Sequence, residues 1–248
     1  GECGESELLR AVRRGAEPRS GGLPGVTYAG GNLACANGTY NLVAGTTWLF
    51  AGKDLRGAPV DTLIVDEAGQ LSLADTLAAS GAATNLILLG DPLQLAQVSK
   101  ASHPNGSGAS VLEHVLGDDA TMPAERGVFL EVTRRMHPDV CRFISERVYD
   151  GRLVSHETCA QQTTEFGTGL RWVPVRHEGR STESVEEAEA VAREVDRLLG
   201  TDWTNQRGET RPLEASDIMV VAPYNDQVNL MRVTFEAQGM AGVPVGTV

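Results

Sequence analysis

Short apolar runs recur along most of the chain, separated by stretches with helical spacing. The runs YNLVAG (40 to 45), TLIV (62 to 65), NLILLG (85 to 90), VFLEV (128 to 132), DIMVVAP (217 to 223) and VPVGTV (243 to 248) are rich in Val, Leu and Ile. Such runs fit strands buried on both faces, as in a parallel sheet. Between them, SVEEAEAVAREVDRLLG opens with the capping-box spacing Ser184 to Glu187. It keeps Ala188, Val191, Ala192, Val195, Leu198 and Leu199 on one face and stops at Gly200, which predicts a helix. A second helix is predicted from Asn225 to about Gln238, and a third from Pro138 to the turn at Asp150 and Gly151. Near the start only ESELLRAVRR (5 to 14) reads as a short helix, with Leu8, Leu9 and Val12 together.

Strands alternating with helices imply an α/β fold with parallel sheets. SKASHPNGSGAS (99 to 110) is loop-like, and GDDATMPAERG (117 to 127) reads as a linker. We therefore expect two α/β units, residues 1 to 125 and 126 to 248.

Composition narrows the function classes. The chain has 248 residues and a net charge of −12, which does not suit a protein coating duplex DNA by bulk electrostatics. A narrow groove for a single strand remains open, because such sites use local cations and stacking. No run approaches the length of a membrane span and no signal peptide is visible, so the expected location is the cytoplasm. The four cysteines, Cys3, Cys35, Cys141 and Cys159, form no C-x-x-C pair, which favours reduced thiols over a zinc site or a disulfide framework.

The candidate chemistry lies where apolar runs end, the place at which an open parallel sheet presents side chains to a ligand. TLIV runs into Asp66 and Glu67 and then Gln70. Adjacent carboxylates repel unless a cation is close, and magnesium carried by nucleotide phosphates is the usual solution. NLILLGDPLQL repeats the arrangement with Gly90, Asp91 and Gln94, an amide suited to sensing a terminal phosphate or orienting water. FLEVTRRMHP ends on Arg134 and Arg135, and a guanidinium forks onto phosphate oxygens.

In this order VDEAGQ, LLGDPLQL and RRMHPDVCRFISERVYDGRL, followed by VVAPYNDQ and VPVGTV, resemble superfamily 1 helicases. The similarity is to group 1B, which includes the nonsense-mediated-decay RNA helicase and related DNA helicase-nucleases, and it spans residues 40 to 248. The resemblance implies two RecA-like domains, both incomplete, with ATP and Mg2+ as cofactors and movement 5′ to 3′ on single-stranded DNA or RNA. It also leaves room for a nuclease domain elsewhere in a longer polypeptide. It implies Asp66 near magnesium, Glu67 as the water-activating carboxylate, Gln94 as γ-phosphate sensor and Arg135 as an arginine finger. Thr46, Thr47, Pro223, Tyr224 and Thr247 are implied as strand contacts, with plain strand-end capping an equal reading for the threonines.

Two departures shape the expectation. Relatives often carry Gln-Tyr where this chain has Thr133 and Arg134, so adenine stacking would fall to Arg134. The loop G-x-x-x-x-G-K-[ST] is not found: TTWLFAGKD has Gly52 and Lys53, but Thr47 stands at the first Gly position and Asp54 at the hydroxyl position. VGTV at the end matches only the start of the family's D-x-F-Q-G-x-E motif. The expectation is a piece of an ATP-driven helicase that does not hydrolyse ATP by itself. The competing reading is a non-enzymatic RecA-like module that binds nucleic acid or a protein.

Overall fold

The computed structural model describes residues 9–57, 59–94, 108–119 and 121–247. The chain divides into two compact units, Gly1–Val128 and Phe129–Val248. Both are built from parallel strand pairs and helices, as the alternating pattern implies.

In the first unit the described elements are β1 (Ala11–Arg14), β2 (Val26–Ala29), α1 (Asn32–Cys35), β3 (Leu42–Ala44), α2 (Thr47–Phe50), α3 (Lys53–Arg56), β4 (Val60–Val65), α4 (Leu73–Ser80), β5 (Ala83–Leu88) and α5 (Val111–Leu116). Strand β1 is the centre of a parallel sheet ordered β2-β1-β3. Strands β4 and β5 pair in parallel from Val60 opposite Ala83 to Val65 opposite Leu88. Val12, Leu49, Phe50, Leu55, Leu63 and Ala79 form the core of this unit. Helix α4 starts at Ser72, whose hydroxyl accepts the N–H of Asp75, and α5 starts at a full capping box between Ser110 and Glu113.

Two expectations are corrected here. Of the segment read as a helix over 5 to 14, residues 5–8 lie outside the described residues and Ala11–Arg14 form strand β1. A central strand engages backbone groups on both edges, and it buries Val12 to 1% exposure while Leu9 stays exposed. That packing outweighs a weak helical spacing. The run 62 to 65 lies in β4 and the run 85 to 90 is strand as far as Leu88, but they are not buried on both faces: Ile64 and its cross-strand partner Ile87 are 57% and 46% exposed. The described helices pack against the Leu63 side, and the Ile64 side stays open.

The stretch read as a linker turns back on α5. Arg126 donates to the carbonyls of Val115 and Leu116 at 2.7 and 3.0 Å and pairs with Asp119.

The second unit contains β6 (Val132–Thr133), α6 (Pro138–Val148), β7 (Val154–Ser155), β8 (Thr163–Thr164), α7 (Val185–Leu198), β9 (Asp202–Thr204), β10 (Thr210–Pro212), β11 (Val220–Val221), α8 (Asn225–Ala237) and β12 (Val245–Gly246). Strands β6 and β7 are parallel, as are β11 and β12, whereas β10-β9-β8 form an antiparallel sheet. Ala188, Ala192 and Val195 of α7 pack on Val228, Met231 and Phe235 of α8, with Val220 and Val245 beneath. Gln227, 4% exposed, ties the helices together: its Oε1 accepts the Ser184 N–H at 2.6 Å and its Nε2 donates to the Ser184 carbonyl at 3.2 Å. Ser184 in turn caps α7 by accepting the N–H of Glu187.

Two predicted strands are shorter than expected. Only Val132 of VFLEV is in β6, with Val128 and Leu130 widely exposed. In DIMVVAP the strand is Val220–Val221, because Asp217 closes a 3-10 turn, Ala215–Asp217, held by Glu214 N–H and the Arg211 guanidinium.

Candidate nucleotide and strand sites

Strand β4 delivers Asp66 and Glu67 at its carboxyl end, and both are exposed. Asp66 Oδ1 accepts the Glu67 N–H at 3.1 Å. Glu67 itself is left-handed, φ 53° and ψ 40°, an uncommon backbone for a residue with a side chain. The kink opens a 3-10 turn, Ala68–Gln70, closed by the Gln70 N–H on the Glu67 carbonyl.

The neighbouring strand brings the second loop against this turn. Ala68 N–H donates to the Leu89 carbonyl and Leu89 N–H to the Val65 carbonyl, each at 2.8 Å. A Cβ on Gly69 would lie 2.2 Å from the Asp91 carbonyl oxygen, and one on Gly90 would lie 2.9 Å from the Ala68 nitrogen. The loops therefore meet backbone on backbone, an approach only glycine permits. Asp91 Oδ1 accepts the Leu93 N–H at 3.0 Å and shapes the turn that ends at exposed Gln94. Asp66, Glu67 and Gln94 thus stand on two interlocked loops at the ends of adjacent parallel strands. The roles of Gly69 and Gly90 were missed in the sequence; the visible signal was a glycine close behind each strand end.

In the second unit Arg134 and Arg135 follow β6 directly and are exposed. His137 caps α6, its Nδ1 accepting the Asp139 N–H at 3.1 Å, and Pro138 occupies the first turn. Thr168 donates to Asp139 at 2.5 Å, and this bond, helped by His137 and Arg142, holds the Asp139 carboxyl below its usual range. Cys141 and Cys159 are buried free thiols, as is Cys35 in the first unit. Burial pushes the Cys141 thiol up, and nearby Cys159 adds to the shift.

Of the residues implied as strand contacts, Thr46 sits at the N-cap of α2 and Thr47 opens that helix. The Thr46 side chain makes no capping bond, and the next residue, Trp48, is 84% exposed. Pro223 and Tyr224 follow β11, while Thr247 follows β12; all three are exposed. Because β11 and β12 are paired neighbours, with Val221 opposite Gly246, these three residues share one sheet end. Tyr224 also marks the start of α8 and does not cap it with its side chain.

By the family models it matches and the relatives it resembles, the chain is a superfamily 1 helicase core of group 1B. The chain belongs to the AAA domain family, which matches residues 108–248; the viral superfamily 1 RNA helicase core domain matches residues 46–165. It is similar to helicase sen1 of Schizosaccharomyces pombe, 28% identical over 195 residues, covering 71% of this chain and 11% of that protein. The 3'-5' exoribonuclease HELZ2 of Mus musculus is 24% identical over 233 residues, covering 84% of this chain and 7% of that protein. The DNA polymerase alpha-associated DNA helicase A of S. pombe is 27% identical over 220 residues, covering 79% of this chain and 31% of that protein. The chain therefore spans less than a third of the length of each of these relatives. Among the described residues no helix is long and apolar enough to cross a membrane.

Proposed function

We propose that this chain is part of an ATP-driven helicase that moves 5′ to 3′ along single-stranded DNA or RNA. The observation that carries the reading is the interlocking of the loops 66–70 and 89–94 through Gly69 and Gly90, which holds Asp66, Glu67 and Gln94 at adjacent strand ends. Magnesium with ATP fits these donors. Exposed carboxylate oxygens suit a hard cation that keeps waters and phosphate oxygens in its shell. Asp66 would hold such an ion, which would supply charge neutralisation for the phosphates.

The chain's own residues then divide the work. Asp66 holds the ion, Glu67 takes a proton from the attacking water and Gln94 orients that water and senses the terminal phosphate. Arg135 supplies a guanidinium to the charge that develops on the transferred group, and Arg134 stacks on the adenine. Thr46, Thr47 and Thr247 offer hydroxyls and backbone groups to strand phosphates, while Tyr224 and Trp48 offer flat faces to bases.

The test uses the full-length protein containing this chain, with ATP turnover measured with and without oligo-dT or oligo-U. Glu67→Gln should lower the strand-stimulated rate by about 10²- to 10⁴-fold while nucleotide binding persists. Turnover at the wild-type rate in that variant would show that Glu67 is not the base.

A further inference from the structure

Strand β6 is only two residues long, so the chain leaves the sheet at Arg134, three residues before the His137 N-cap of α6. The carbonyls of Arg134, Arg135 and Met136 have therefore lost the ladder, and each is taken up by a side chain from a different segment. Gln206 Nε2 donates to the Arg134 carbonyl at 2.8 Å, Gln162 Nε2 to the Arg135 carbonyl at 3.4 Å, and Ser155 Oγ to the Met136 carbonyl at 2.6 Å. From within the loop, the Arg135 N–H donates to Thr133 Oγ1 at 3.3 Å.

From this geometry we propose that Gln206, with Gln162 and Ser155, clamps three successive peptide planes and so positions the Arg135 guanidinium for ATP hydrolysis. The inference rests on the role given to Arg135 above. An arginine carries much rotamer freedom, and a loop whose carbonyls faced only water would add backbone freedom to it. Fixing the peptide planes on both sides of Arg135 fixes the direction of its Cα–Cβ bond. Rate is sensitive to that placement.

Gln206 sits at the tip of the β9–β10 hairpin, and the hairpin is built to hold it. Asn205 Oδ1 accepts the N–H groups of Arg207 and Glu209 at 2.8 and 3.2 Å, and Asn205 Nδ2 donates to Glu209, so the turn is closed without the Gln206 side chain. Gly208 takes φ 77° there, and a Cβ on it would lie 3.0 Å from Gln161 Oε1, which seats the tip against the segment that carries Gln162. The legs are stiffened by Arg211, stacked 4.6 Å above the Trp203 ring and bonded twice to Asp217 at 2.6 Å. Gln206 is thus a positioning residue on a braced arm.

The experiment again uses the full-length protein and strand-stimulated ATP turnover. Gln206→Glu keeps the size but turns an acceptor toward the carbonyl; kcat should fall about tenfold with the KM for ATP within about twofold. Gln206→Lys, which keeps an N–H donor, should recover the rate to within about threefold of wild type. Arg135→Ala should lower kcat by about 10³-fold or more, and adding Gln206→Glu to it should cost nothing further. Amide exchange at residues 134–137 should quicken about tenfold in Gln206→Glu, independently of activity. A wild-type rate in Arg135→Ala overturns the function given to Arg135, and the clamp's role with it. If Arg135→Ala is slow but Gln206→Glu is not, or if the two losses multiply, the clamp is wrong and the function stands. Unchanged amide exchange also overturns the clamp.

Discussion

Replacing Gly69 with alanine puts a methyl group 2.2 Å from the carbonyl oxygen of Asp91. An ordinary contact begins at 3.4 Å, and the neighbour is backbone, which cannot swing aside, so the two loops must part by roughly 1 Å. Overpacking of this kind costs about 1 to 3 kcal/mol. The melting temperature should fall by roughly 5 to 10 °C. The larger effect should be on rate, because moving Asp66 and Glu67 about 1 Å from the Gln94 loop is worth about 100-fold. Gly81→Ala is the control: Gly81 has φ −63° and its nearest neighbour would be Arg56 Nε at 3.6 Å. That change should be neutral or add about 0.5 kcal/mol by restricting the unfolded chain. Melting followed by circular dichroism and strand-stimulated ATP turnover of the full-length protein measure both effects. If Gly69→Ala melts with the control and turns over within twofold of wild type, the loops do not meet backbone on backbone.

Other expectations follow from the second unit. Gln227→Leu leaves the Ser184 N–H buried without a partner and should cost about 1 to 3 kcal/mol in urea unfolding; a loss below 0.5 kcal/mol would mean water replaces the amide. Glu186 and Asp217 have carboxyls held down to about 2, by the Arg180 and Arg211 hydrogen bonds respectively, against ordinary values of 4.5 and 3.8. Their contribution is complete above those ordinary values and disappears as pH falls toward about 2, so the urea midpoint should drop over that range and drop less in Glu186→Gln/Asp217→Asn. Tyr224→Ala and Trp48→Ala should each weaken binding of labelled oligo-dT by about 1 to 3 kcal/mol, read by fluorescence anisotropy, without altering ATP affinity; equal strand affinity would remove that residue from the track.

The helices most legible in the sequence were those with a cap, an apolar stripe and a stop. Ser184 and Gly200 bracket α7, Pro138 and the Asp150–Gly151 turn bracket α6, and α8 starts at Asn225, the first residue of its predicted range. Helices α4 and α5 carried the same signals at Ser72 and Ser110 and went unread because they are short. Strand β1 was misread because Leu9 and Val12 happen to fit helical spacing, while the partners that make it a strand lie 15 and 31 residues further on. The loops around Asp66 and Gln94 were visible as apolar runs ending in charge. Their contact was not, since it depends on the absence of a side chain at Gly69 and Gly90. The clamp on Arg134 was beyond reach for a different reason: Gln206 is 72 residues away, and an amide at a hairpin tip looks like any other turn residue.

The left-handed backbone at Glu67 has one further consequence. Holding a non-glycine residue there costs about 1 kcal/mol or more, a cost that Gly or Asn would largely relieve. Selection for heat tolerance alone would therefore drift toward Glu67→Gly, giving a sturdier protein without the carboxylate we propose as its base. A glutamate kept at this position in a thermally selected lineage would record a demand for turnover.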